Sequence, residues 1–343
     1  MKNRTNKGEG MKHYEIGQGP GIDALELKDG AAKAPAGNEI LVRVEASSLN
    51  FHDYLVVTGG IKVAPGRVPL SDGAGIVEAC GPDVTRFKVG DRVIGTFFAD
   101  WEDGPATAER TSRMLGDHVD GFAATFVTMP ETRFTRAPEG YSAVEAACLP
   151  CAGVTAWRAV TVEGQIKPGD TVLVQGSGGV ATFALQLARL AGARVIATSS
   201  SEEKAERLRA LGADEVVNRV ATPDWGKRVR ELTGSGVDLV VEVGGGDLGQ
   251  SLQALRSGGQ LCLVGVLSRQ AIQFAPVHMI HANRRITGIT VGSRKHQADL
   301  VRAVELGGLR PVIDSTYPFE ALADAFRHME GQNHFGKITI GYN

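Results

Sequence analysis

The sequence predicts an α/β protein in which a doubly wound parallel sheet is joined to a β-rich domain. Three observations predict it. The chain has 343 residues, long for one hydrophobic core, so two domains are expected. From residue 171 onward short β-branched runs alternate with helical patterns, as parallel strands with crossover helices do. Before about residue 134 strand-like runs separated by glycine- and proline-containing turns dominate, and residues 311–343 return to a strand, a helix and a final strand.

The chain is organised around residues 171–201, TVLVQGSGGVATFALQLARLAGARVIATSSS. A β-branched run at 171–174 leads into a glycine cluster. Val180, Phe183, Ala184, Leu187 and Ala191 then fall on one face of a helix. Gly192 stands where a helix ends in the left-handed conformation, and residues 194–198 form a second strand. The glycines have separate physical roles. Gly176 permits the tight turn, and Gly178, lacking a Cβ, lets a pyrophosphate approach the backbone. Ala181 takes the place of a third glycine, where helix packs on strand. Backbone N–H groups of Gly176, Ser177, Gly178, Gly179 and Val180 would meet the diphosphate at the helix start. G-x-G-x-x-[GA] alone is weak, but here it follows a strand and opens an amphipathic helix.

The remaining elements follow in order. Residues 14–16, 24–27 and 40–45 read as strands, and 46–60 as a loop running into a short helix. Residues 68–95 read as strands joined by tight turns, 97–121 as an exposed, irregular excursion, and 122–129 as strand. Residues 142–151 are helical, with Ser142 and Glu145 spaced as a capping box. After the central stretch, strands are expected at 215–218, 237–243, 260–266 and 285–291, and helices at 202–211, 224–232 and 248–255. Residues 1–10 are polar and lack an apolar core. They read as a disordered leader or cloning remnant, with Met11 a second plausible start.

Composition narrows the function. A formal net charge of -2 gives no electrostatic case for nucleic acid or an anionic membrane. No apolar run approaches the roughly 20 residues that span a bilayer, so a cytoplasmic location is expected. Cys80, Cys148, Cys151 and Cys262 form no disulfide framework. The Cys148–Cys151 pair lies in apolar surroundings and reads as one turn of a buried helix end.

Five segments together resemble the medium-chain dehydrogenase/reductase superfamily: SLNFHD, DGAGIVEACGPDVTRFKVGDRVIG, LPCAGVTAWRA, GSGGVATFALQLARLAGARVIATSSSEEK and HFGKITI. Within it the chain looks like the quinone-oxidoreductase-like branch, which includes proteins labelled zinc-type alcohol dehydrogenase-like. The resemblance implies a GroES-like β domain over 11–134, to which 294–343 return. It implies a Rossmann dinucleotide-binding domain over 135–293, and an active site in the cleft. In zinc-dependent members a cysteine, a histidine–glutamate pair and a second cysteine hold the metal. Those positions here read Asn50, Ser71-Asp72 and Cys151, too poor in Cys, His and carboxylate ligands for catalytic zinc. No metal is expected.

The resemblance points to Asn50, His52, Asp53 and Tyr54 as catalytic candidates. A neutral His52 imidazole would relay protons near pH 7. Asp53 either lies at the cleft or caps the helix after Asn50, and Tyr54 either presents its phenol or packs in the wall. Thr155, Val243, Gly265, Val266 and Lys337 join the glycine loop as cofactor residues. The second strand ends Ser199-Ser200 with no carboxylate for the ribose hydroxyls. Glu203 is assigned to a capping box with Ser200, while Lys204 and Arg219 could reach a 2′-phosphate. The expected protein is a zinc-independent, NADPH-dependent oxidoreductase that moves hydride to a carbonyl or activated alkene of a small molecule, working as a homodimer. Alcohol or aldehyde dehydrogenase activity, or non-catalytic NADPH binding, are the alternatives.

Overall fold

The computed structural model describes residues 10–265 and 267–342. The chain divides into two compact units, one comprising Ala152–Gly292 and the other the residues up to Cys151 together with those from Ser293 onward.

In Ala152–Gly292 six parallel strands form one sheet. Their spatial order is Glu215–Asn218, Arg194–Ser199, Thr171–Gln175, Val237–Glu242, Leu255–Leu263 and Arg285–Gly288. Sequence order thus reverses on either side of the first strand, the arrangement that opens a crevice at the strand ends. Val172–Val174 and Leu239–Val241 are buried, as apolar strands covered on both faces must be. The helix Gly179–Leu190 buries Phe183, Ala184 and Leu187, and Gly192 follows it at φ +80. The fifth strand begins at Leu255, five residues before the expected 260, and the helix before it ends at Ala254. Arg285–Gly288 lies at the sheet edge.

The other unit is built on a seven-stranded sheet. Its long strand Glu39–Ser48 pairs with Ala74–Cys80, Phe126–Pro130 and the C-terminal Lys337–Gly341. The last pairing is antiparallel and sets Thr339 opposite Ser48, so the register carries Lys337 to the end of the long strand, where Asn50 begins a helix. Gly10–Ile16 pairs with Leu25–Ala31 as a separate ribbon, Gly10 opposite Ala31. Residue 10, expected in a leader, is therefore in a strand, and residues 1–9 lie outside the described residues. The expected domain boundary at 134 also moves. The helix Ala143–Ala147 contacts strands Glu39–Ser48 and Ala74–Cys80, and the Ser142–Glu145 capping box is present.

The 97–121 excursion is only half exposed. Phe97, Phe98, Trp101, Leu115 and Asp117 are buried at its base, and residues 102–113 make the outer part. Phe122, expected to start a strand, is instead a core plug. A Cβ on Gly73 or Gly95 would lie 2.2 Å from its ring, so only glycine admits the phenyl group there. Among the described residues no helix is long and apolar enough to cross a membrane.

Candidate active site

The first cluster grows from the end of strand Glu39–Ser48. The chain turns at Asn50 into the helix Phe51–Val57, and Asp53 closes the turn. Its Oδ2 accepts the Asn50 backbone N–H at 2.9 Å and its Oδ1 the Ser71 backbone N–H at 2.8 Å. The fully buried carboxylate thus takes the capping role and ties the segment at 71–72 to the helix start. Asp72, also fully buried, accepts Ser48 Oγ–H at 2.7 Å and the Cys151 backbone N–H at 2.9 Å. Asn50, Ser71, Asp72 and Cys151, far apart in sequence, therefore converge.

Lys337 completes this cluster. The residue is 3% exposed. It donates to Leu49 O at 2.7 Å and Asn50 Oδ1 at 2.5 Å, and lies 3.6 Å from Asp72 Oδ2. Asn50 Nδ2 donates to Ser71 Oγ at 3.2 Å. Burial pushes the Asp72 carboxyl up to about 6, against the pull of Lys337 and with a further push from Asp53. Burial and Asp72 hold the Cys151 thiol well above its ordinary range, and burial lifts Cys148 to about 12. No disulfide joins the two, and residues Leu149–Gly153 form a π-helical turn.

His52 and Tyr54 face other partners. His52 Nε2 is 3.4 Å from Asp117 Oδ2, its Nδ1 is 3.7 Å from Asp53 Oδ1, and its ring meets Phe97 edge-on. Burial alone would lower its pKa. The hydrogen bond with Asp117 and the charges of Asp117 and Asp53 outweigh it and raise the value to about 9. His52 is thus an imidazolium at pH 7 rather than the expected neutral relay. Tyr54 donates its phenol to Glu330 Oε1 at 2.7 Å and stacks on Phe51. Asp117 and Glu330 carried no sequence signal: one lies in an irregular segment, the other on an outer helix.

The second cluster is in Ala152–Gly292. Gly176 has φ +75, which a side chain resists. Gly178 has φ -77 and ψ -176, open to any residue, and a Cβ there would meet nothing within 4 Å. Among the described residues nothing demands glycine at 178. Among the described residues no side chain caps this helix start, a geometry that suits an anion. Ser177 and Thr155 are buried, Gly179 and Val180 half-buried. Gly265 differs from Gly178, because its Cβ would lie 2.6 Å from Val243 O. Sequence reasoning missed Glu242. It accepts the N–H groups of Gly244 and Gly245 after Val243, and bonds the Gln175 amide and the Ser251 hydroxyl. A carboxylate that ends the strand VDLVVE directly after three apolar residues was its signal.

At the end of the second strand Ser199 is buried and donates its hydroxyl to Ser201 O at 2.8 Å. The expected Ser200–Glu203 box is replaced. Ser201 caps the helix Glu202–Ala210 and accepts from the Lys204 backbone N–H, so Ser200 is exposed outside the helix. Three consecutive serines offer three caps, and the one that lets Ser199 stay in the strand prevails. Glu202 pairs with Arg209 at 2.7 Å. Arg219 is exposed and its backbone N–H donates to Ser199 O at 2.9 Å. Val266 lies outside the described residues.

A six-stranded nucleotide sheet with an uncapped glycine loop, and a buried polar cluster in the β unit, define an NAD(P)-dependent oxidoreductase. Residues 36–139 match the family described as alcohol dehydrogenase GroES-like domain, and residues 179–306 the family described as zinc-binding dehydrogenase. A zinc-type alcohol dehydrogenase-like protein of Schizosaccharomyces pombe is 39% identical over 88% of this chain and 90% of its own. The human quinone oxidoreductase is 28% identical over 96% of each. The crystal structure of a putative alcohol dehydrogenase from Sinorhizobium meliloti superposes with a TM-score of 0.92 at 41% identity, covering 97% of this chain and 99% of that one. The chain belongs to the medium-chain dehydrogenase/reductase superfamily.

Proposed function

We propose that the protein is an NADPH-dependent, zinc-independent reductase of quinones and α,β-unsaturated carbonyls. The observation that carries this reading is the Lys337 ammonium bonded to Asn50 and 3.6 Å from Asp72. A dication at the same place would face that ammonium. The ligands on offer are an amide oxygen already bound to it, a hydroxyl, one carboxylate, Asp72, already paired with it, and a thiol kept protonated by burial. The donor set does not fit zinc. Without a Lewis acid, charge developing on a substrate oxygen must be met by hydrogen-bond donors, each worth roughly 3–4 kcal/mol. Acceptors that delocalise the charge themselves suit such a site better than simple aldehydes.

When bound, the nicotinamide supplies the hydride. The residues at 176–180 would hold its diphosphate, and the Asn50 amide would donate to the substrate oxygen. His52, an imidazolium beside Asp117, would hold a proton close by. The NADPH preference is supported by a strand end made of serines, by Glu202 committed to Arg209, and by Lys204 and Arg219 nearby. A 2′-phosphate paired with one such cation is expected to favour NADPH over NADH by about 10- to 100-fold.

A single kinetic series tests the reading. Purified protein should reduce enones or quinones with NADPH, unaffected by chelator, faster than it oxidises simple primary alcohols. Stoichiometric zinc with chelator-sensitive turnover would overturn it, as would equal or tighter binding of NADH. Tight NADPH binding with no turnover across the panel would mark a non-catalytic binding protein instead.

We also propose a homodimer joined along Arg285–Gly288. This strand is at the edge of its sheet, and edges invite pairing. Phe274, Val277 and Ile280, which precede it, are exposed, Ile280 to 72%. Light scattering at micromolar concentration should give twice the monomer mass; a monomer mass refutes the pairing.

A further inference from the structure

We infer that Lys337 is a positioning residue that fixes which face of the Asn50 carboxamide the substrate meets. The inference rests on the reductase reading for its kinetic consequence, but not for its geometry. A carboxamide has two nearly isosteric ends, one accepting and one donating, and its neighbours decide which end points where. Ser71 Oγ cannot decide, because a hydroxyl donates as readily as it accepts. Lys337 can. An ammonium has three donors and no acceptor, so it accepts only Oδ1 as its neighbour, at 2.5 Å. Its second donor is anchored on Leu49 O at 2.7 Å, and its charge lies 3.6 Å from Asp72. The Nδ2 end is thereby turned to Ser71, 3.2 Å away. The ammonium is also the counter-charge beside the buried Asp72 carboxylate, 3.6 Å away. In zinc-dependent relatives this place would hold a metal that polarises the substrate directly. Here the buried cation acts one step back, by making Asn50 a donor and never an acceptor.

Lys337 was expected among the cofactor residues, and the two roles separate cleanly. The variant Lys337→Met keeps the length of the side chain and removes the charge. If Lys337 orients Asn50, the single-turnover hydride-transfer rate should fall about 10- to 100-fold, while the NADPH dissociation constant changes less than about threefold. Lys337→Arg should recover part of the rate. Asn50→Ala should cost little more on the Lys337→Met background than that background already does, because both act through one amide. A loss of NADPH affinity that accounts for the whole effect, or losses that simply multiply, would overturn the inference. A second readout needs no turnover. The Asn50 Nδ2 protons, assigned by their absence in Asn50→Ala, should exchange with solvent at least about tenfold faster in Lys337→Met than in the wild type. Unchanged exchange overturns the inference even if the wild type reduces no acceptor, which would defeat the reductase reading alone. Should Lys337→Met fail to fold with Asp72 unpaired, Lys337→Met/Asp72→Asn removes both charges and carries the same two readouts.

Discussion

Gly178→Val should raise the dissociation constant for NADPH at least about 100-fold, a loss of about 2.7 kcal/mol, and lower the melting temperature by no more than about 3 °C. The backbone at 178 is extended, at φ -77 and ψ -176, and a Cβ there meets no atom of the described residues within 4 Å. The folded chain therefore accommodates the side chain at small cost, chiefly a poorer residue at the helix start. What the isopropyl group occupies is the space through which a diphosphate must come to reach the N–H groups of the helix Gly179–Leu190. Gly265→Ala is the control with the opposite signature. Its Cβ would lie 2.6 Å from Val243 O, so the backbone must shift and about 1–3 kcal/mol of stability should be lost. Titration of both variants with NADPH, followed by thermal melts, checks the pair. Unchanged affinity in Gly178→Val would mean that the cofactor does not lie on this loop.

His52 should contribute about 3 kcal/mol of stability in acid and neutral solution that disappears in alkali. Its pKa of about 9 in the folded protein exceeds the ordinary value of 6.5. The folded state therefore binds the proton more tightly than the unfolded chain. The contribution is fully present below about pH 6.5 and is lost as pH rises through about 9. Its size follows from the shift at about 1.4 kcal/mol per pH unit, and the side chain, only 14% exposed, is little screened. Urea unfolding of the wild type and of His52→Gln at pH 6, 8 and 10 isolates the effect as a difference. The two should be furthest apart at pH 6 and nearly coincide at pH 10. A difference that stays constant over that range would show that the imidazole is not paired with Asp117 and Asp53.

What the sequence revealed and what it concealed divide along the range of the interactions. The strand, glycine turn and helix at 171–201 were legible because local periodicity and local turn chemistry specify them. The third strand appears at its expected residues, 215–218, and the edge position of the sixth followed from the alternation alone. The polar cluster was legible only as a set of candidate positions. Nothing near Lys337 in sequence says that its side chain turns to Asn50 rather than to a phosphate. That direction is set by the register of Thr339 on Ser48. His52 was expected neutral because its second carboxylate, Asp117, comes from an irregular segment 65 residues away. The Ser200 cap was misplaced by one residue because all three serines satisfy the local rule. The domain boundary was set too early for a related reason: the helix Ala143–Ala147 belongs to the unit it packs on, and packing is not visible in its own residues.

The pairing of Thr339 with Ser48 also has a consequence in time. Asn50 and Lys337 touch although 287 residues separate them, and the strand that delivers the lysine is made after every other strand of the described structure. A nascent chain therefore contains Asn50 and Asp53 long before it contains Lys337. Until Lys337–Gly341 docks, Asp72 has lost the nearest positive charge and the Asn50 amide is unoriented. If Lys337 orients Asn50 as proposed, chemical competence arrives in one late step of synthesis rather than growing with chain length. Long-range strand pairing is also the slow part of folding, so the interval between a compact chain and a working one is set by the last strand to find its place.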